Sequence, residues 1–161
     1  TRGARLRLTV IGGGREAELF RQRAAALSLG EDIVRFHGFV PNAEALKLVA
    51  DADIGLVPHF ATDSWNTTIP NKLFDYMAAG LAVITSDAVP AARIVRETGA
   101  GAVYPHRDAA QLADAFAQLT PASVRAECGR RGREAVQTRY HWEQDAARLE
   151  ALLQDARRSR A

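Results

Sequence analysis

Apolar residues fall in short clusters along this chain, separated by helix-length stretches of mixed polarity. Leu6 to Ile11 is rich in leucine, valine and isoleucine, is broken by Gly12 to Gly14, and gives way to a helical pattern over Glu16 to Leu29 that Gly30 closes. That order predicts strand, turn, helix. A second strand is predicted over Ile33 to Phe36, then a loop through Gly38 and Pro41, a helix containing Leu46 and Val49, and a third strand over Ile54 to Val57. PHFATDSWN, from Pro58 to Asn66, has neither helical nor strand periodicity and is rich in polar groups, so it is expected as an exposed loop. The next helix, from near Ile69, carries Leu73, Phe74 and Met77 at core-compatible spacings and stops at Gly80. Leu81 to Ile84 and Gly101 to Tyr104 read as strands. Pro90 to Val95, Asp108 to Leu119, Val124 to Thr138 and His141 to Leu153 read as helices, and residues 154–161 as a flexible tail.

Strands of four to six residues alternating with helices point to a parallel sheet covered on both faces, because each crossover must bury an apolar stripe against it. The fold class is therefore α/β, a Rossmann-like three-layer domain over residues 1–153. With 161 residues, 47% hydrophobic and 25% charged, one core suffices without disulfides or metals. Cys128 is the one cysteine and has no internal partner, which favours a reducing compartment. Twenty-one basic against 19 acidic residues leave a net charge of only +2, so the pI near 9.0 reflects abundant arginine and no nucleic-acid partner is implied. Arginines gather at Arg5 and Arg7, at Arg130, Arg131 and Arg133, and at Arg157, Arg158 and Arg160, without interleaved aromatics; they read as solvated helix faces and a tail. No run approaches the roughly 20 apolar residues of a membrane span, so a soluble piece is expected.

Two places carry candidate chemistry. The triglycine turn in VIGGGREAE lets a bound group approach the backbone closely, and its N–H groups suit phosphate, with Arg15 to counter the charge. A ligand-free tight turn with a solvent-facing arginine fits the same residues. The turn lacks both the full dinucleotide fingerprint and the lysine of a Walker loop. In NTTIPNKLFDYMAAG, from Asn66 to Gly80, Thr67 or Thr68 is placed to cap a helix with Pro70 in its first turn, where free N–H groups attract anionic oxygens. Lys72 and Asp75, three apart, share a helical face. The lysine then meets a diphosphate while the aspartate accepts from ribose hydroxyls; the alternative is a surface ion pair worth about 0.2–0.5 kcal/mol. His37, His59, His106 and His141 lack metal-ligand spacing, so no metal is implied. Within the exposed loop, His59 and Asp63 read as solvated groups, and Trp65 either as a loop anchor or as a contact for a ligand or partner domain.

Taken together and in order, VIGGGREAE, HGFV at His37 to Val40, ADIGLVP at Ala52 to Pro58, NTTIPNKLFDYMAAG, AVITSD at Ala82 to Asp87 and YHWE at Tyr140 to Glu143 resemble one family. It is the C-terminal, donor-nucleotide-binding domain of retaining GT-B glycosyltransferases, above all glycosyltransferase family 4, and the resemblance runs from about Leu6 to Trp142. It implies a nucleoside-diphosphate-sugar as donor substrate, no separate cofactor, and a partner Rossmann-like half of the same parent chain that supplies much of the acceptor site. Gly12, Gly13 and Gly14 match the turn near the phosphates. His37, Phe39 and Val40 match the loop bordering the base, with the backbone around Phe39 and Val40 reading its edge. Thr67, Thr68 and Ile69 match the segment leading into the phosphate-facing helix, and Asp75 stands where a glutamate often binds ribose. The family pattern places two glutamates eight positions apart, but here those places hold Thr67 and Asp75, so the contact of the first carboxylate to the transferred sugar is not reproduced. Lys72 is the candidate catalytic residue, a cation for the departing diphosphate. The isolated chain is expected to be inactive and the parent cytoplasmic, with its acceptor and its association with the cytoplasmic membrane surface left open. An epimerase half of the same architecture and a nonenzymatic nucleotide-binding or interaction domain are the alternatives.

Overall fold

A computed structural model describes residues 6–158, and their contacts divide into two compact units, Thr1–Asp51 and Ala52–Ala161. In the first unit, β1 (Leu8–Ile11) and β2 (Val34–Gly38) pair in parallel, while α1 (Ala17–Ala26) and α2 (Asn42–Ala50) follow them in sequence. The register runs Leu8 to Val34, Thr9 to Arg35 and Val10 to Phe36, then slips so that Ile11 faces Gly38. That slip carries β2 two residues past the expected end at Phe36. Gly12 donates its N–H to the Gly38 carbonyl at 2.7 Å, and both residues have positive φ, 112° and 71°, a region that side chains resist. Helix α1 stops at Ala26 rather than Leu29, because Ser28 turns left-handed at φ 54° and the N–H groups of Leu27 to Leu29 bond back to carbonyls of the last turn.

The second unit holds every fully buried residue among those described. Its strands β3 (Ile54–Val57), β4 (Ala82–Ser86) and β5 (Gly101–Tyr104) form a parallel sheet in the order β3-β4-β5, with Ile54 opposite Ala82 and Val83 opposite Gly101. The helices are α3 (Asn71–Ala79), α4 (Val89–Thr98), α5 (Ala109–Gln118), α6 (Ala122–Thr138) and α7 (Trp142–Arg158). Period-two alternation sorts the strand side chains onto two faces. Val57 and Val83 pack with Leu73 and Met77 of α3 and Ile94 and Val95 of α4, while Ala82, Ile84 and Tyr104 pack with Ala115 of α5 and Leu119. All five residues of central β4 are buried, as a strand covered on both sides requires. This is the three-layer α/β arrangement.

Two helix ends are set by residues that the sequence marks. Gly80 closes α3 in the left-handed region at φ 77°, with its N–H on the Met77 carbonyl and that of Leu81 on Tyr76, each at 3.0 Å. Asp108 caps α5 by accepting from the Gln111 N–H at 2.9 Å. Half-buried Cys128 packs beside the α5 face, and its surroundings push its thiol up through burial. Helix α7 runs to Arg158, so residues 154–158 are helical where a tail is expected from sequence; Glu143 and Asp145 in its first turn and Arg157 and Arg158 in its last suit the helix dipole. Arg5 and Arg160 lie outside the described residues. Among the described residues no helix is long and apolar enough to cross a membrane.

Candidate functional site

In the first unit the candidate residues gather at the carboxyl end of β1. Gly12 to Gly14 leave the strand and lead into α1, and an open cleft of about 810 Å³ lies along them, lined also by Arg15, Phe20, Arg21 and Phe36. A side chain on Gly12 or Gly14 would meet nothing within 4 Å, so both face open space, whereas a Cβ on Gly13 would sit 2.7 Å from Phe39 Cε2. The Phe39 ring, 85% exposed, therefore lies against bare backbone and brings the HGFV loop onto the glycine turn. His37 and Val40 are half-buried beside it in sequence, and Arg15 is exposed. Sequence reasoning missed Arg21, whose guanidinium stands 4.8 Å from the Phe36 ring centroid. Its signal was helical spacing, since four residues separate it from Ala17 at the start of α1.

In the second unit the carboxyl ends of β3, β4 and β5 carry three connections, and ligands of open α/β sheets bind at such ends. After β3 comes the irregular stretch 58–70. Here Thr67 and Thr68 do not cap α3: the N-cap is Pro70, and no side chain bonds the first turn. The threonines stand two and three residues too early. Their hydroxyls donate instead to the Ser64 carbonyl, at 3.0 Å and 2.8 Å, and close the turn that precedes the helix. Pro70, expected inside the first turn, is a buried N-cap, and half-buried Ile69 packs toward Leu73 and Met77. Lys72 and Asp75 are both exposed on α3, and no ion pair joins them among the described residues. One turn of helix thus presents a cation and a carboxylate for external partners.

His59, read from sequence as a solvated loop group, and several residues with no site role in the sequence reading pin this stretch. His59 stacks on Trp65 with centroids 3.7 Å apart and planes within 6°. The His59 carbonyl accepts from Ser86 Oγ, a buried hydroxyl at the end of β4. Burial, and then the Lys72 charge, hold the His59 imidazole below its ordinary pKa, so it is neutral near pH 7. Asn66 Oδ1 accepts from the Val89 N–H at 3.1 Å and supplies to α4 the cap that Ala88 lacks. Asp87 Oδ1 accepts from both the backbone N–H and Nδ1 of His106, at 3.0 Å and 2.8 Å. Desolvation pushes that carboxyl up, but the hydrogen bonds from His106 outweigh it and hold the group below its usual range. The partners in these hydrogen bonds are 19 to 27 positions apart in sequence, beyond the reach of local pattern. No group of three histidine, cysteine, aspartate or glutamate residues is placed to hold a metal among the described residues.

Residues 1–121 match the family model described as glycosyl transferases group 1. The chain is 33% identical over 145 residues to the phosphatidyl-myo-inositol mannosyltransferase of Mycobacterium leprae, covering 89% of this chain and 36% of that protein. Two solved structures share its fold. Sucrose-phosphate synthase from Thermosynechococcus elongatus superposes with a TM-score of 0.83 at 24% identity, over 95% of this chain and 39% of that one. The HepE protein of Anabaena, in complex with UDP, gives 0.74 at 17% identity, over 93% of this chain and 41% of that one. The chain spans about a third to two-fifths of the length of these three proteins.

Proposed function

Because this chain belongs to the group 1 glycosyl transferases, we propose that it is the nucleotide-sugar-binding half of a GT-B enzyme that moves a sugar from a nucleoside-diphosphate donor to an acceptor hydroxyl with retention of anomeric configuration. The observation that carries this reading is the exposed Lys72 and Asp75 face at the start of α3, where neither charge is consumed by the other. A UDP complex of a protein with the same fold supports a nucleoside diphosphate as the ligand class.

In the transfer, the bond between the sugar's anomeric carbon and the β-phosphate oxygen breaks, and its electron pair leaves on the diphosphate. The acceptor oxygen forms the new bond and passes its proton to the departing diphosphate oxygen. Negative charge grows on the diphosphate, so preorganised donors lower the barrier. On this reading, Lys72 and the first-turn N–H groups of α3 meet the diphosphate, with the Thr68 and Ile69 backbone leading into that turn. Asp75 accepts from the ribose hydroxyls. Backbone N–H groups of Gly12 to Gly14, with Arg15, serve the phosphates, and the Phe39 and Val40 backbone with His37 borders the base. Thr67, its hydroxyl committed to Ser64, offers no carboxylate to the transferred sugar. The remaining half of the parent supplies the acceptor site, so the isolated chain binds donor without turning over.

Calorimetric titration of the full-length protein with UDP and with GDP tests the reading. Asp75→Ala loses charged hydrogen bonds and should weaken the preferred nucleotide about 10- to 100-fold, while Lys72→Ala should act chiefly on kcat. Unchanged affinity in Asp75→Ala would remove the ribose role.

A further inference from the structure

Phe60 stands near the start of the 58–70 stretch with 52% of its surface exposed, yet two consecutive residues of the turn after β5 hold its ring. His106 meets it edge-on, with centroids 6.4 Å apart and planes at 66°. Arg107 carries its guanidinium 4.9 Å from the ring centroid. In extended chain, consecutive side chains point to opposite sides. Both reach one ring here because Arg107 adopts φ 64°, a left-handed conformation that an arginine rarely accepts. Asp87 anchors the other side of the grip through its two hydrogen bonds to His106. His59, immediately before Phe60, stacks on Trp65, and beyond the turn that Thr67 and Thr68 close on the Ser64 carbonyl the chain enters α3.

We propose that Arg107 is a positioning residue. Its contact with Phe60 fixes the 58–70 stretch against the carboxyl ends of the strands, so that the first turn of α3 is presented to the donor diphosphate in one orientation. The inference rests on the donor-site reading above. It assigns a reason for the left-handed backbone at Arg107: that conformation aims two neighbouring side chains at the same ring.

Glycine at this position separates positioning from stability, because Arg107→Gly removes the guanidinium while giving the turn a residue suited to positive φ. In the full-length protein, titrated with UDP and GDP, Arg107→Gly should weaken the preferred nucleotide about two- to fivefold with a melting midpoint equal to or above that of the unsubstituted protein. Arg107→Lys keeps a cation over the ring and should bind within about twofold of the unsubstituted protein. Combining Arg107→Gly with Phe60→Leu should lose no more affinity than the greater single loss. Unchanged affinity in Arg107→Gly, an equal loss in Arg107→Lys, additive losses in the double variant, or a loss matched by a lower melting midpoint would each overturn the proposal. Asp75→Ala, run alongside, tells the two failures apart. If it loses affinity while Arg107→Gly does not, only the positioning role falls; if it too binds unchanged, or the unsubstituted protein binds neither nucleotide, the donor-site reading falls and the inference with it.

Discussion

Gly129→Ala sets helix propensity against packing, and the two predict opposite signs. Gly129 is buried in α6, where a Cβ would sit 1.9 Å from the Gly80 carbonyl oxygen and 2.8 Å from its carbon. Ordinary contact needs roughly 3.5 Å, so α6 must retreat by about an ångström or more. Gly80 cannot yield, because it is the left-handed cap of α3 and its N–H and that of Leu81 are bonded back into the helix. A helix turn later, Arg133 reaches across to the Ala79 carbonyl at 2.8 Å, a contact that the retreat would stretch. Alanine gains about 1 kcal/mol over glycine inside a helix. Overpacking costs about 1–3 kcal/mol, and a clash of backbone on methyl belongs at the upper end. The net is a destabilisation of about 2 kcal/mol, or about 4–8 °C of melting midpoint for a chain of this size. Circular dichroism during heating of the 161-residue chain measures it. A raised midpoint would refute the packing argument and leave propensity as the deciding effect.

Two further outcomes follow from the pinned stretch. Asn66→Ala removes the cap of α4 and should cost about 1 kcal/mol by urea denaturation, whereas Asn66→Asp, which keeps an acceptor for the Val89 N–H, should restore most of it. His59 is held below the ordinary histidine value of about 6.5, so near pH 6 the unfolded chain binds more protons than the folded one, and stability falls as pH drops through the window beneath that value. The melting midpoint should therefore decline between about pH 7 and pH 5.5, and His59→Gln should flatten the decline; equal slopes in both proteins would show that His59 does not contribute.

How far the sequence carried the structure differs from element to element. Strands β3 and β5 occupy the residues expected of them, because Asp53 and Pro58 bound one, and Gly99, which ends α4, and Pro105 bound the other. Leu73 and Met77 face the core as their four-residue spacing requires, and Gly80 stops the helix where expected. The threonine cap failed because α3 starts only after Pro70, two residues beyond Thr68, so neither hydroxyl accepts a first-turn N–H and both donate to the Ser64 carbonyl within the preceding turn. The pairing of Asp87 with His106 and of Arg107 with Phe60 stayed out of the sequence reading because these partners meet through tertiary structure, across connections that have no period of their own. The left-handed Arg107 is a further case: nothing about an arginine in sequence announces positive φ.

Sugar transfer from a nucleoside-diphosphate donor is the activity that this chain is proposed to serve, and a single assay decides it. The full-length protein is incubated with a panel of nucleotide sugars, with and without candidate acceptor alcohols, while nucleoside diphosphate release and the sugar products are followed together. Diphosphate release should depend on acceptor, be matched mole for mole by a glycosylated acceptor, and fall in Lys72→Ala. An epimerised sugar with no acceptor product, or no reaction with any donor that the protein binds, would contradict the proposed transfer.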